Sequence, residues 1–315
     1  MIPTIDISAL RGSDAAASGK VAREVGAACR GIGFFAITGH GVAPQLLADT
    51  FAASRRLFAM SAAQKAALAI GRFGPNRGYV GLGVEALDER KPGDRKEAFN
   101  LVWSADEARE PNAWPPLPGW RELLQRYFDA TLDAGRLLHR AFALDLGLPP
   151  HFFDDKLDHP QATLRLLHYP AQGAARDAMQ DEAALGAGTH TDYGNVTLLA
   201  TDGVAGLQVR RRDVADDDEA AWLDVPAPPP GAFICNIGDC LMRWTNDVYV
   251  STPHRVRQPR AERYSIALFV DPNADAQVEA LPSCVAPGAA PRYAPISAGD
   301  YLKQRLAATY AGGRV

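Results

Sequence analysis

The chain is poor in the features that mark several protein classes. Among its 315 residues there are only four cysteines, Cys29, Cys235, Cys240 and Cys284, and no two stand in a Cys-x-x-Cys pair. That spacing excludes a disulfide scaffold or a thiolate zinc ribbon as its organising principle and fits reduced thiols in the cytoplasm. No apolar run approaches the ~18–20 residues that cross a bilayer. The start, Met-Ile-Pro-Thr-Ile-Asp-Ile, lacks the basic segment and long apolar block of a secretory signal. Basic residues are not in excess either: the net charge is −4, which gives no electrostatic footing for nucleic acid. Repeats and low-complexity tracts are missing as well. What remains is an ordinary globular composition, 47% hydrophobic and 22% charged, in a chain long enough to bury a large core.

The N-terminal part reads as alternating elements. Ile2–Ile7 is strand-like, Ser18–Cys29 has helical spacing, Gly33–Thr38 is an apolar strand, and Pro44–Phe58 is a second helix. Residues 71–97 are rich in glycine and in charge of both signs, from Asp88 to Glu97, and are expected to form a solvated loop. A proline-rich connector, Pro111–Pro118, leads into a long helix over Gly119–Leu146.

Beyond Pro150 the pattern changes to short strands parted by turn formers. They are expected at 163–170, 196–201, 207–210, 222–225, 232–237, 249–256 and 264–270, with an acidic, solvated tip at Ala215–Glu219 and a closing helix at Ser297–Tyr310. Many short strands at this spacing argue for a β-sandwich or barrel.

Within that region, Gly188-Thr-His-Thr-Asp-Tyr-Gly places His190 and Asp192 two apart. On an extended strand both side chains share a face, so an imidazole and a carboxylate can grip one ion. Far downstream, Ser251-Thr-Pro-His-Arg-Val adds His254. Two histidines and one carboxylate are the ligand set suited to non-haem Fe(II), and they leave coordination positions open for substrate and O2. Arg263 and Ser265 then share a strand face, a guanidinium fork beside a hydroxyl, which suits a carboxylate. Tyr169 adds a phenol for the same anion. Tyr79, in a glycine-rich loop, Tyr193, directly after Asp192, and Phe269, beyond Ser265, are candidate substrate contacts. His168 alternates away from Tyr169 and reads as structural, while Asn236 and Asp239 read as organisers of the turn after their strand.

These motifs in this order resemble the iron- and 2-oxoglutarate-dependent oxygenases of the isopenicillin N synthase-like family. Ile2-Pro-Thr-Ile-Asp6 and Gly33-Phe-Phe-Ala-Ile-Thr-Gly-His-Gly-Val42 are similar to that family's N-terminal region. Leu167-His-Tyr-Pro170, Gly206-Leu-Gln-Val209 and Asn236-Ile-Gly-Asp239 are similar to its β-core motifs. Leu167 stands where many plant members carry asparagine, and it cannot donate that residue's hydrogen bond.

The resemblance implies a mixed α+β protein, a double-stranded β-helix (jelly-roll) core flanked by helices. It divides into an N-terminal dioxygenase region at 1–117, a scaffold helix and connector at 118–160, the oxygenase β-core at 161–275 and a C-terminal tail and helix at 276–315. Fe(II) would be held by His190, Asp192 and His254, and the far carboxylate of 2-oxoglutarate by Arg263, Ser265 and Tyr169. With O2 as oxidant, the expected reaction is oxidation of a small molecule, by hydroxylation, with release of succinate and CO2. The alternatives are a 2-oxoglutarate-independent iron oxidase or cyclase, or an ethylene-forming variant, on the same ligand set.

Overall fold

A computed structural model of the protein describes residues 2–85, 93–171, 185–214 and 219–310. The chain opens with β1 (Thr4–Asp6), α1 (Ala15–Arg30), β2 (Phe34–Thr38) and α2 (Pro44–Phe58). Helix α1 starts earlier than its apolar spacing suggests, because the Asp14 carboxylate accepts from the backbone N–H groups of Ala16 and Ala17. Its Val21, Val25 and Cys29 are buried on one side. Helix α2 begins at a proline, where no intrahelical N–H is needed. A short α3 (Ala62–Ala67) follows behind a capping box made by Ser61 and Gln64.

The expected loop over 71–97 is more ordered than its composition suggests. It contains β3 (Gly78–Val80), and β4 (Glu97–Val102) begins at its end, pairing antiparallel with β3. Asp94, Lys96 and Glu97 are buried instead of solvated, because Asp94 pairs with Lys96 and Glu97 pairs with Lys65 of α3 and His168 of the neighbouring strand. Residues 88–92 of that charge cluster, and 215–218 of the acidic tip, lie outside the described residues.

Helix α4 (Trp120–Asp145) is the scaffold helix. The β-core then runs through β5 (Thr163–Tyr169), β6 (Leu185–His190), β7 (Val196–Thr201), β8 (Leu207–Arg210), β9 (Trp222–Asp224), β10 (Phe233–Ile237), β11 (His254–Arg257) and β12 (Arg263–Val270). A short helix, α5 (Asp239–Trp244), follows β10. The strand expected over 249–256 forms only from His254. Before it, Tyr249 N–H bonds the Thr245 hydroxyl and Val250 N–H bonds the Cys29 carbonyl, which ties this stretch to helix ends. The chain closes with a small ribbon, β13 (Gln277–Val278) and β14 (Ile296–Ser297), and α6 (Ala298–Tyr310).

The strands make an eight-stranded sheet, ordered β1-β2-β10-β7-β12-β5-β4-β3, and a four-stranded sheet, β6-β11-β8-β9. One apolar cluster joins Phe34, Ala98, Leu167 and Ile234 of the large sheet to Ala187, Val209 and Val256 of the small one. The two sheets therefore close face to face on a shared interior, the jelly roll. A larger cluster packs the other face of the large sheet against α1, α2 and α4.

Candidate active site

Register decides which side chains enter the space between the sheets. His190, at the end of β6, is paired directly with His254, at the start of β11. Their rings lie 4.3 Å apart between centroids. Asp192 follows β6, and its Oδ1 lies 3.7 Å from Nε2 of each histidine. All three ligand atoms fall within 4.8 Å of one another. The three side chains expected to converge do converge.

Their surroundings fix what each presents. His190 Nδ1 binds the Gly188 carbonyl at 2.8 Å and His254 Nδ1 binds the Thr252 carbonyl at 3.2 Å. A carbonyl only accepts, so each ring carries its proton on Nδ1 and turns the Nε2 lone pair inward. Asp192 Oδ2 accepts from Asn236 Nδ2 at 2.7 Å and from the Thr197 hydroxyl at 2.5 Å. Its Oδ1 is left facing the two imidazoles. Asn236 and Thr197 are directly paired on β10 and β7, so the large sheet grips the Asp192 carboxylate from behind.

Burial, reinforced by the neighbouring His254 ring, pushes the His190 imidazole down to about 3. Burial alone would raise Asp192, but His254 and His190, with the Asn236 and Thr197 hydrogen bonds, hold it below its usual range. His190 is thus a neutral imidazole beside an ionised Asp192, the protonation a divalent cation needs of such groups.

Further into the barrel, Arg263 is 1% exposed. Its Nη1 donates to the Ser265 hydroxyl at 3.2 Å, its Nε donates to the Val204 carbonyl, and the guanidinium lies 4.8 Å from the centroid of the Tyr169 ring. Arg263 and Tyr169 are paired across β12 and β5. Among the described residues, no carboxylate lies within salt-bridge distance of this buried cation. A guanidinium removed from water without an anion is costly, so the donor set fits a carboxylate ligand.

The expected substrate contacts divide. Phe269 packs into the cluster between the sheets and is paired with Thr197. Tyr193 sits at the rim, its ring 4.9 Å from the Arg305 guanidinium of α6. Arg305 also pairs with Asp239 at 2.7 Å, and Asp239 accepts from the hydroxyl of Thr191, which stands between His190 and Asp192. A cavity of about 420 Å³ opens there, lined by Thr191, Met242, Arg243, Pro253, Tyr301 and Arg305. Tyr79 does not belong with them. It points to the helix side of the sheet, where its hydroxyl bonds Glu97 and Lys65 lies over its ring, while Val80 takes the inward position. His168 is also on that outer side, bonded to Glu97 and Glu262 and stacked on Tyr264.

Comparison with known proteins agrees with this geometry. The profile of the 2OG-Fe(II) oxygenase superfamily matches residues 160–272, and that of the "non-haem dioxygenase in morphine synthesis N-terminal" region matches residues 2–117. A 2-oxoglutarate-Fe(II) type oxidoreductase, hxnY, of Emericella nidulans is 34% identical over 98% of this chain and 90% of its own length. The chain belongs to the 2OG-Fe(II) oxygenase superfamily.

This oxygenase also resembles the kihadalactone A synthase LFS of Citrus sinensis, at 34% identity over 89% of this chain and 85% of that protein. Among solved structures, a full-length Neurospora crassa protein in complex with alpha-KG superposes with a TM-score of 0.88, at 31% identity, covering 98% of this chain and 96% of that one. The oxygenase is accordingly an Fe(II)- and 2-oxoglutarate-dependent enzyme with O2 as its oxidant. No helix of the described residues is long and apolar enough to cross a membrane.

Single-sequence reasoning missed the partners of Asp192 and the buried charges beside His190. Asn236 had the look of a turn residue, and only its register opposite Thr197 shows what it holds. The buried charges are Asp94 and Lys96: Asp94 Oδ1 accepts from Gly188 N–H at 2.9 Å and Asp94 pairs with Lys96.

Proposed function

We propose that His190, Asp192 and His254 hold the ferrous iron, that Arg263, Ser265 and Tyr169 hold the far carboxylate of 2-oxoglutarate, and that the enzyme hydroxylates a small molecule. Together the bound iron, 2-oxoglutarate and O2 supply C–H oxidation, with succinate and CO2 released. The protein's part is to bind and aim. The Gly188 and Thr252 carbonyls keep both Nε2 atoms directed at one point, and Asn236 with Thr197 restrains the carboxylate to a single free oxygen. Arg263 draws the dianion inward. Phe34, Leu167 and Val256 keep the interior apolar, which limits water near the reacting atoms.

The observation that carries the proposal is the convergence of three ligand atoms beside a buried cation with no carboxylate within salt-bridge distance among the described residues. Phe269 and Tyr193 are the aromatic contacts we assign to substrate. The likeness to the Neurospora crassa protein, which has also been solved with alpha-KG and thymine, supports a substrate of single-ring size. The order of the motifs supports the isopenicillin N synthase-like branch, and four buried free cysteines support a cytoplasmic location. Anaerobic addition of Fe(II) and 2-oxoglutarate is expected to give a visible charge-transfer band, and O2 with a substrate to give succinate. A band that survives in His190→Ala, or product formed without succinate, would overturn the assignment.

A further inference from the structure

Along β5, Tyr169, Leu167 and Arg165 alternate onto one face, opposite Arg263, Ser265 and Ala267 of β12. Tyr169, Leu167 and Ala267 belong to the cluster between the sheets, so Arg165 also faces inward. On its other side it is paired with Asn100 of β4. The next row along holds Phe269 and Thr197, the residue bound to Asp192. Arg165 therefore lies between the row of Arg263 and Tyr169 and the row of Thr197, which holds Asp192.

Arg165 pairs with Glu85, and Glu85 lies 3.6 Å from Lys96, which pairs in turn with Asp94. Asp94 reaches β6 through Gly188 N–H, whose own carbonyl holds His190. Among the described residues, Arg165 and Lys96 thus face Glu85 and Asp94, which sets a carboxylate directly beside the Arg165 guanidinium. Beside it, Asn100 is fully buried, and its Oδ1 has no hydrogen-bond partner among the described residues. Its orientation is set by Nδ2, which donates to Asn76 Oδ1, while Asn76 donates to the Thr163 hydroxyl. A buried carbonyl oxygen without a donor favours a ligand that brings an N–H to it.

Resting on the function proposed above, we infer that Arg165, Glu85 and Asn100 select the substrate, and that it is a small uncharged ring with an amide or imide edge. The Arg165 guanidinium donates to the ring carbonyl, and Asn100 Oδ1 accepts from the adjacent ring N–H. A carboxylate of equal size would meet Glu85 across Arg165 and leave Asn100 without a donor.

The test is anaerobic calorimetry on the protein loaded with Fe(II) and 2-oxoglutarate, with uracil and 2-pyridone against benzoate and nicotinate. Both lactams are expected to bind about tenfold or more tighter than either carboxylate. Arg165→Met should weaken the lactams by about tenfold while 2-oxoglutarate affinity is kept, since that depends on Arg263. Glu85→Gln, by removing the carboxylate beside Arg165, should shift preference toward benzoate by about tenfold. Tighter binding of the carboxylates, no binding of either lactam, or an Arg165→Met protein with unchanged lactam affinity would overturn the inference. Failure of the underlying reading shows separately, as absent 2-oxoglutarate uptake before any probe is added.

Discussion

His190 and His254 are mirror-like in their fixation: each imidazole binds, through Nδ1, the backbone carbonyl two residues before it. Paired across β6 and β11, both rings are held through Nδ1 by backbone carbonyls, and the edge of Phe34 also packs against His254. Asp192 is held differently, by side chains of the opposite sheet, and that is where the site is open to mutation without disturbing a ligand.

Asn236→Ala removes one of the two hydrogen bonds on Asp192 Oδ2. Metal affinity is expected to fall about 10–100-fold, the usual cost of losing such an outer partner. Titration of the metal-free protein with Fe(II) or Co(II) measures it, and circular dichroism should stay unchanged.

Arg263→Met leaves the metal ligands in place and takes away the cation beside Tyr169 and Ser265. The half-saturating concentration of 2-oxoglutarate should rise at least about thirtyfold, which corresponds to about 2 kcal/mol for an unpaired buried carboxylate. An unchanged value would place the co-substrate elsewhere.

His139 on α4 gives a pH prediction away from the metal. Its Nδ1 binds the Gly135 carbonyl, Asn195 donates to its Nε2, and burial pushes its pKa down to about 4. The unfolded chain, with an ordinary value of about 6.5, takes up a proton that the folded protein refuses. Stability should therefore be unaffected above about pH 6.5 and fall as pH drops toward 4, by up to about 3 kcal/mol. Urea unfolding at several pH values checks this, and His139→Gln should flatten that part of the profile.

Gly26 of α1 lies against the Asp145 carboxylate, which holds Arg30 at 2.6 Å and the Tyr249 hydroxyl at 2.7 Å. A methyl group there would fall 2.1 Å from Asp145 Cγ. Gly26→Ala should destabilise the protein by about 1–3 kcal/mol, despite alanine's better helix propensity, because the buried Asp145 carboxylate and its bonds to Arg30 and Tyr249 must move. Chemical denaturation gives the value.

The jelly roll itself followed from the family resemblance, but the closeness of His190 to Asp192 and the β-rich core were legible in local signals: a two-residue repeat puts the two side chains on one face, and turn formers mark strand ends. Register was not. Nothing local shows that Asn236 meets Thr197, or that Arg165 meets Asn100, since those pairs join strands far apart in the chain. The stretch 71–97 was misread for a related reason. Mixed charges look solvated until their partners on β5 and β6 are known. Tyr79, expected in a loop, lies instead on β3, where alternation turns it to the helix side and gives Val80 the interior.

The two histidines ride on the small sheet, whereas the aspartate between them is anchored by strands of the large one. An ion gripped by all three would act as a rivet through both layers at the barrel's open end. Loading the metal would then also brace the seam through which substrate must pass.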